Sequence, residues 1–181
     1  GDIENFKTRR IKAEEKGKLR GFSVVHMIES AGGARPEHAE ICFDTSGDIT
    51  LSVGTKSQGQ GHETMYKIMV SSMLGIDADN IQVVDGDTDK VSFGIGTIGS
   101  RSALTGGGAV KLAADKIIEK GSKIAAQMME ASETDIEFDN GIFTVSGTDK
   151  SLSIGDIAKA AFNPSNIPED MEAGLYEQST Y

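Results

Sequence analysis

Residues 41–53 read ICFDTSGDITLSV, and this stretch decides the first part of the fold. Ile41 and Phe43 stand two positions apart, and the apolar residues of segment 49–53 repeat the same period. A two-residue period places apolar side chains on one face of a β-strand. The residues between the two segments, 45–48 (TSGD), are of the types that favour a tight turn. The sequence therefore predicts a β-hairpin with one buried face.

Two amphipathic helices are predicted on the C-terminal side of this hairpin. In the first, residues recur at helical spacing between positions 65 and 73, and Gly75 is placed to end the helix. The second extends from Ala109 to about Glu130, and Gly121 on its apolar stripe marks a place where another element packs closely. The predicted buried face of the first helix is Met65, Ile68, Met69, Ser72 and Met73.

Further segments complete the predicted sheets. Apolar runs over residues 22–28 and 81–84 predict buried strands. An Asn-Gly pair within residues 136–145 predicts a second hairpin, and residues 153–156 (SIGD) predict a capping box that opens a short helix. The predicted fold class is α+β, an α/β two-layer domain in which a mixed sheet with β-hairpins packs against two amphipathic helices.

The composition excludes several classes of function. The chain has 181 residues, a net charge of −10 and a single cysteine, Cys42. An acidic chain is not expected to bind nucleic acid or an anionic membrane as its main partner. No apolar run approaches the ~20 residues of a membrane span. A lone cysteine forms no internal disulfide, and no Cys/His cluster has the spacing of a zinc site, so we expect a cytoplasmic protein without metal-ligating side chains.

The first 18 residues differ in character from the rest of the chain. Residues 2–18 are mostly charged and predict the exposed end of a helix. We therefore divide the chain into a charged helical lead-in, residues 1–18, and one domain, residues 19–181. Because the sequence begins at Gly1 rather than at a methionine, we expect it to be a piece of a longer protein.

Residues 94–99 (GIGTIG) match the pattern G-x-G-x-x-G, which binds dinucleotides when it directly follows a strand. Here an acidic stretch separates the pattern from the predicted strand, so a Rossmann site is not favoured. Residues 100–102 (SRS) at the start of a helix still offer N–H groups, hydroxyls and a guanidinium to an anion. An anion site and a simple loop with a helix cap both fit this pattern.

Residues 54–64 (GTKSQGQGHET) join the first hairpin to the first predicted helix. Gln58 and Gln60 carry amides that can both donate and accept hydrogen bonds. The glycines allow the backbone to approach a ligand closely, and the helix N-terminus that follows favours negative charge. Amides of this kind suit a heterocycle that displays both donors and acceptors, such as a pterin.

Taken together, residues 54–64 and residues 96–102 (GTIGSRS) closely resemble the large subunit of the molybdenum hydroxylases, the xanthine dehydrogenase and aldehyde oxidase superfamily. The two motifs are most similar to those of the aerobic carbon monoxide dehydrogenase branch, and the similarity extends from about Leu19 to the end of the sequence. The resemblance implies that both loops bind molybdopterin, whose dithiolene holds the molybdenum, and it assigns no catalytic residue to this chain. The cofactor-binding residues that it implies are Gln58, Gly59, Gln60, Gly61, His62, Thr97, Gly99, Ser100, Arg101 and Ser102.

The resemblance also implies a function. The chain would be the cofactor-binding lobe of an oxidoreductase large subunit that hydroxylates a small-molecule substrate with oxygen from water. Gln60 would lie near the pterin and the molybdenum, and segment 99–102 would hold pterin and phosphate groups. The general-base glutamate and the substrate loop of the family have no match among these residues, so we expect the isolated chain to be inactive.

The resemblance implies partners as well. The cofactor would be molybdopterin dinucleotide with molybdenum, usually the cytosine form in bacteria. The partners would be the remainder of the large subunit and subunits that carry iron–sulfur clusters and FAD. The residues taken alone leave an alternative open, which is a free-standing nucleotide- or anion-binding module without redox activity.

Overall fold

The computed structural model describes residues 2–33 and 35–181. Within these residues the helices are α1 (Phe6–Glu14), α2 (His62–Leu74), α3 (Gly107–Met129) and α4 (Ile154–Ala160). The strands are β1 (His38–Phe43), β2 (Ile49–Val53), β3 (Ile81–Asp85), β4 (Ile136–Asp139), β5 (Ile142–Val145), β6 (Ser151–Ser153) and β7 (Tyr176–Thr180). A π-helical turn, Ser102–Gly106, leads directly into α3.

The strands form two sheets. The first is mixed and has the order β3-β2-β1-β7. In it β1 pairs antiparallel with β2 and with β7, while β2 pairs parallel with β3. The second sheet, β4-β5-β6, is antiparallel throughout. Both predicted hairpins, the mixed sheet and the α+β class are therefore confirmed.

One hydrophobic core joins α2, α3 and α4 to both sheets. Helix α3 lies on β1 and β7, and α2 packs beside α3 and β3. Alanine dominates the buried face of α3, and because alanine is small the helix axis can approach the sheet closely. The fully buried members of this face are Ala109, Val110, Ala113, Ala114, Ile117, Ile124 and Ala125.

Gly121 is a point of close approach between α3 and the second sheet. A Cβ atom on Gly121 would lie 2.6 Å from Cζ of Phe143, a β5 residue whose side chain is fully buried. Real Cβ atoms do not approach other atoms that closely, so only glycine fits while the ring keeps its place. This confirms the prediction that another element packs closely at Gly121.

The buried face of α2 differs from the predicted one. Tyr66, Val70 and Leu74 are fully buried at successive turns, whereas Ile68 is 60% exposed. The prediction was wrong because Tyr66 was not counted among the core residues, although its hydroxyl finds hydrogen-bond partners inside the protein. The methionines lie at the edge of the core and are partly buried; they are Met65, Met69 and Met73.

Residues 22–28, predicted as a buried strand, form no strand in the structure. The apolar side chains of this segment are exposed to solvent, and Ile28 is 99% exposed. The prediction was wrong because an apolar run reports the tendency to be buried but not what buries it. Among the described residues no strand pairs with this segment. Helix α1 contacts its first residue, with 5.4 Å between the ring centroids of Phe6 and Phe22, but Phe22 is still 52% exposed.

The C-terminal segment forms a strand that the sequence did not predict. β7 pairs with β1 over five residues, and Glu37 and Tyr181 extend the pairing by exchanging two backbone hydrogen bonds of 2.9 and 3.0 Å. Its residues, YEQST, carry little apolar periodicity, so the pattern that reveals β1 and β2 is missing here. The strand forms because β1 offers an open edge.

The predicted helix boundaries agree with the structure at both ends that we singled out. Gly75 adopts a left-handed conformation, φ 65°, directly after α2. Ser153 and Asp156 form the reciprocal bonds of a capping box at the start of α4. Helix α1 has no buried residue, as expected for the lead-in, while the division of the chain at residue 19 stays a prediction.

Among the described residues, no helix combines the length and the apolar character that crossing a bilayer requires.

The close approach at Gly121 yields a prediction about stability. Gly121→Ala is expected to lower the free energy of unfolding by about 1–3 kcal/mol, because the new methyl group overlaps the Phe143 ring in a packed core. The better helix propensity of alanine offsets this only in part, by about 1 kcal/mol. Urea unfolding followed by circular dichroism measures the difference.

Gly155→Ala in α4 is the matched control. A Cβ atom at that position meets only Oγ of Ser153, at 3.8 Å, so no loss of stability is expected. A Gly121→Ala protein as stable as the wild type would contradict the close approach of α3 to β5.

Candidate functional site

The structure brings the two glycine-rich segments together. We call residues 54–61 the first loop and residues 94–101 the second loop. The hydroxyl of Thr97 accepts a hydrogen bond from the N–H of Lys56 at 2.9 Å and donates one to the carbonyl of Lys56 at 2.7 Å. A Cβ atom on Gly54 would lie 2.5 Å from Cα of Gly94, so the two backbones touch where only glycine fits. The two loops thus form one surface.

A buried tyrosine contacts the first loop and the residue that directly follows the second loop. The hydroxyl of Tyr66 donates to the carbonyl of Ser102 at 3.0 Å and lies 2.8 Å from Oγ1 of Thr55. Since the tyrosine proton points to the carbonyl, the Thr55 hydroxyl donates to the tyrosine oxygen. Burial raises the pKa of Tyr66, so the phenol stays protonated and keeps its donor role at neutral pH.

The end of the second loop is held by a buried ion pair. Nη1 of Arg101 lies 2.7 Å from Oε2 of Glu37, and the two side chains are 3% and 0% exposed. Nη2 of Arg101 donates to the carbonyls of Arg35 and Pro36 at 2.7 and 3.0 Å. The sequence predicted that this guanidinium could bind an anion. In the structure it instead donates these hydrogen bonds to groups of its own chain.

The backbone of the second loop keeps its donors available. No described residue accepts a hydrogen bond from the N–H groups of residues 96–100. Gly96, Gly99 and Ser100 have positive φ angles of 92°, 56° and 53°, which turn successive peptide units away from a regular element. Successive N–H groups of this kind can bind an anion.

The first loop has an open outer side. Gln58, Gly59, Gln60 and Gly61 are exposed. A Cβ atom on Gly59 or Gly61 would meet no atom within 4 Å, so a flat ligand has room to approach the backbone here. Oε1 of Gln60 accepts a hydrogen bond of 2.6 Å from the N–H of Gln58, which orients this amide.

His62, the first residue of α2, is buried and incompletely hydrogen bonded. Its side chain is 5% exposed, and Nδ1 has no partner among the described residues. The ring packs edge-on against Tyr66, with 5.9 Å between the ring centroids. A buried polar atom without a partner is costly, and a bound ligand would remove that cost.

Neither Cys42 nor His38, both on β1, takes part in this surface. Cys42 is a half-buried free thiol, and Nε2 of His38 lies 3.2 Å from Oγ of Ser92. Burial raises the pKa of the Cys42 thiol, and the carboxylates of Glu40 and Asp44 add to the effect. No group of three or more His, Cys, Asp or Glu within residues 2–33 and 35–181 could hold a metal ion.

Two cavities lie outside the loop surface. The larger, about 940 Å³, is a groove between α3 and residues 168–177, lined mostly by charged side chains such as Lys120 and Glu177. It contains none of the predicted cofactor-binding residues. The smaller, about 340 Å³, lies beside the second loop against Leu104 and Tyr181.

Sequence reasoning missed three residues that build the surface. Glu37, Thr55 and Tyr66 do not touch open space at the loops, but they fix the positions of those residues that do. Tyr66 could have been found, because it stands four residues from both His62 and Val70 on one helical face. Glu37 carries no local signal, since its partner Arg101 lies 64 residues away.

Comparison with known proteins identifies relatives that share this region. A family model described as a molybdopterin cofactor-binding domain matches residues 2–181. The carbon monoxide dehydrogenase large chain of Afipia carboxidovorans is 43% identical over an alignment 187 positions long, which covers 96% of this chain and 23% of that protein. The nicotine 6-hydroxylase large subunit of Paenarthrobacter nicotinovorans is 36% identical over 188 residues, with the same coverage of 96% and 23%.

A solved structure agrees with these matches. The reconstituted CO dehydrogenase from Oligotropha carboxidovorans superposes with a TM-score of 0.76 at 42% identity, covering 80% of this chain and 18% of that one. The chain spans less than a quarter of the length of the curated relatives named above. The resemblance predicted from the two loop motifs is confirmed.

The support of the loops by Tyr66 can be tested by stability. Tyr66→Phe is expected to lower the free energy of unfolding by about 1–3 kcal/mol, because buried groups of Thr55 and Ser102 lose their hydrogen-bond partner. Tyr176→Phe is the matched control, since its hydroxyl bonds Glu172 at the exposed surface and its loss should change stability by less than about 0.5 kcal/mol. Equal effects of the two substitutions in urea unfolding would contradict the supporting role of Tyr66.

The raised pKa of Cys42 predicts slow alkylation. The thiolate is the reacting species, so iodoacetamide should modify the folded protein at pH 8 more slowly than the urea-unfolded chain. The rate should still be rising as the pH passes the ordinary thiol pKa. A rate that levels off below that pH would show that the thiol is activated instead.

Proposed function

Because the chain belongs to the molybdopterin cofactor-binding domain family, we propose that its two loops bind molybdopterin within a molybdenum-dependent oxidoreductase. The observation that carries the proposal is the pair of hydrogen bonds between Thr97 and Lys56, at 2.7 and 2.9 Å, which join the two motifs into one surface. Motifs that the sequence separates by about 40 residues become parts of one candidate site.

The residues present fit such a cofactor. The amides of Gln58 and Gln60 lie exposed on the first loop and suit the donors and acceptors of a pterin ring. The N–H groups of residues 96–100 and the hydroxyl of Ser100 suit its phosphate groups. Nδ1 of His62 is a buried atom that lacks a partner, as expected at a position completed by a ligand.

The roles of the predicted residues divide into contact and support. We propose that the cofactor is contacted by the first loop and the start of α2, through Gln58, Gly59, Gln60, Gly61 and His62. The second loop and the residue that follows it contribute mainly backbone N–H groups and hydroxyls, through Thr97, Gly99, Ser100 and Ser102. Arg101 contributes indirectly, because its guanidinium is buried on Glu37 and on backbone carbonyls.

When bound, the cofactor supplies a molybdenum centre at which a small substrate is oxidised with oxygen derived from water. The residues of this chain bind and orient the cofactor and keep one side of it away from water. None of them is proposed as a catalytic residue.

The proposal extends to the protein to which these residues belong. The relatives are named as a large chain and a large subunit, so we propose that this chain is the cofactor lobe of a comparable subunit in the cytoplasm. The exposed apolar segment 22–28 supports this, because the remainder of such a subunit would cover it. The finer assignments are the cytosine dinucleotide form and partner subunits with iron–sulfur clusters and FAD.

The similarity does not choose a substrate. Two relatives that cover this chain equally are named for carbon monoxide and for nicotine. We therefore propose that these loops specify the cofactor, while residues elsewhere in the subunit select the small molecule.

The contact role of the two glutamines is directly testable. In the large subunit that contains this chain, Gln58→Ala with Gln60→Ala should lower pterin bound per subunit, because each lost hydrogen bond weakens binding by about 0.5–1.5 kcal/mol, or roughly 2- to 13-fold. Fluorescence of the oxidised pterin and elemental molybdenum analysis measure it. Gln127→Ala, an exposed glutamine on α3, is the control and should leave both values unchanged.

The 181 residues expressed alone should contain neither molybdenum nor oxidoreductase activity. A large charged ligand needs most of its surface enclosed, and this chain offers a single open surface for it. Stoichiometric molybdenum together with pterin in the purified chain would contradict this expectation. Micromolar binding of a plain nucleotide to the chain, measured by calorimetry, would favour the alternative of a nucleotide- or anion-binding module.

A further inference from the structure

We propose that Glu37 and Arg101 are positioning residues for the cofactor, which set the shape of the second loop without touching the ligand. The inference rests on the proposed function and extends it, because it adds a role for Glu37 and states how Arg101 contributes. Neither side chain reaches the surface, since Glu37 is 0% and Arg101 is 3% exposed. Whatever they contribute to cofactor binding must pass through the backbone that they hold.

The ion pair fastens both ends of the second loop at one point. At the start of the loop, the N–H of Ile95 donates to Oε1 of Glu37 at 3.2 Å, and the carbonyl of Gly96 accepts from Nη1 of Arg101 at 3.2 Å. At its end stands Arg101 itself, 2.7 Å from Oε2 of Glu37. The N–H groups of residues 96–100 lie between these two fixed points.

The same pair ties the loop to the sheet. Glu37 immediately precedes β1, and its Oε1 also accepts from the N–H of His38 at 3.2 Å. Its backbone exchanges two hydrogen bonds with Tyr181 beyond the end of β7. The second loop is therefore anchored to the strands of the first sheet.

The geometry requires arginine rather than any cation. Nη1 and Nη2 point to acceptors in different directions, one set on Glu37 and Gly96 and the other on Arg35 and Pro36. A planar guanidinium can satisfy both sets at once, whereas a lysine ammonium is a single point of charge. Arg101→Lys thus keeps the positive charge but loses the planar arrangement of N–H donors.

Stability and positioning can be separated by removing one charge or both. Removing one partner of a buried ion pair leaves an uncompensated charge, whereas removing both is often far less damaging. Glu37→Gln combined with Arg101→Met should therefore regain much of the melting temperature that Arg101→Met loses. A purely structural role predicts that bound pterin recovers together with the melting temperature.

The experiment uses the large subunit that contains this chain, purified with its cofactor. Pterin per subunit and melting temperature are measured on the same preparations of wild type, Arg101→Lys, Arg101→Met and the double variant. Phe143→Leu places a core defect in the second sheet and calibrates how bound pterin changes with melting temperature. Lys123→Met removes an exposed ion pair with Glu119 and controls for loss of charge.

We expect Arg101→Lys and the double variant to bind at least tenfold less pterin than the wild type and Phe143→Leu predict for their melting temperatures. Pterin that follows melting temperature across all variants would overturn the positioning role, as would full loading of Arg101→Lys. A wild-type subunit without pterin would overturn the proposed function itself and this inference with it. The wild-type measurement therefore distinguishes the two failures.

Discussion

The contact between the backbones of Gly54 and Gly94 is the constraint on which the loop surface depends. Gly54 directly follows β2, so the contact fixes the second loop to the end of the central sheet. A side chain on either glycine would drive the loops apart and break the bonds between Lys56 and Thr97. The absence of two side chains therefore determines the position of everything the second loop carries.

Buried apolar side chains and buried polar side chains occupy different parts of this fold and have different roles. The face of α3 and the strands beneath it are packed with alanine and branched aliphatic side chains, whose burial supplies stability without strict direction. Several buried polar residues gather around the loops instead, among them Thr55, Arg101 and Ser102. Buried polar groups require partners at defined angles, so this half of the interior sets geometry.

The sequence predicts those parts of the fold that local spacing determines. The hairpin of β1 and β2, the capping box at Ser153 and the glycine on α3 all follow from neighbours in the chain. Segment 22–28 and β7 could not be predicted, because each depends on what lies beside it in space. The first pairs with no strand among the described residues and stays exposed, and the second forms because β1 offers an edge.

The same distinction applies to the candidate site. The residues of the two loops could be predicted from their motifs, because amides, glycines and hydroxyls in a loop indicate by their residue type that they can bind a ligand. Glu37 could not, because a carboxylate before a strand is ordinarily solvated and its partner lies 64 residues away.

The sheet topology explains why the two loops meet. β2 and β3 run parallel, so their carboxyl ends share one edge of the sheet, where α2 also begins. Asp85 at the end of β3 accepts from the N–H of Ser57 at 2.6 Å and closes the first loop onto that edge. A parallel pair that a helix connects places backbone donors at the carboxyl ends of its strands, which suits an anionic ligand.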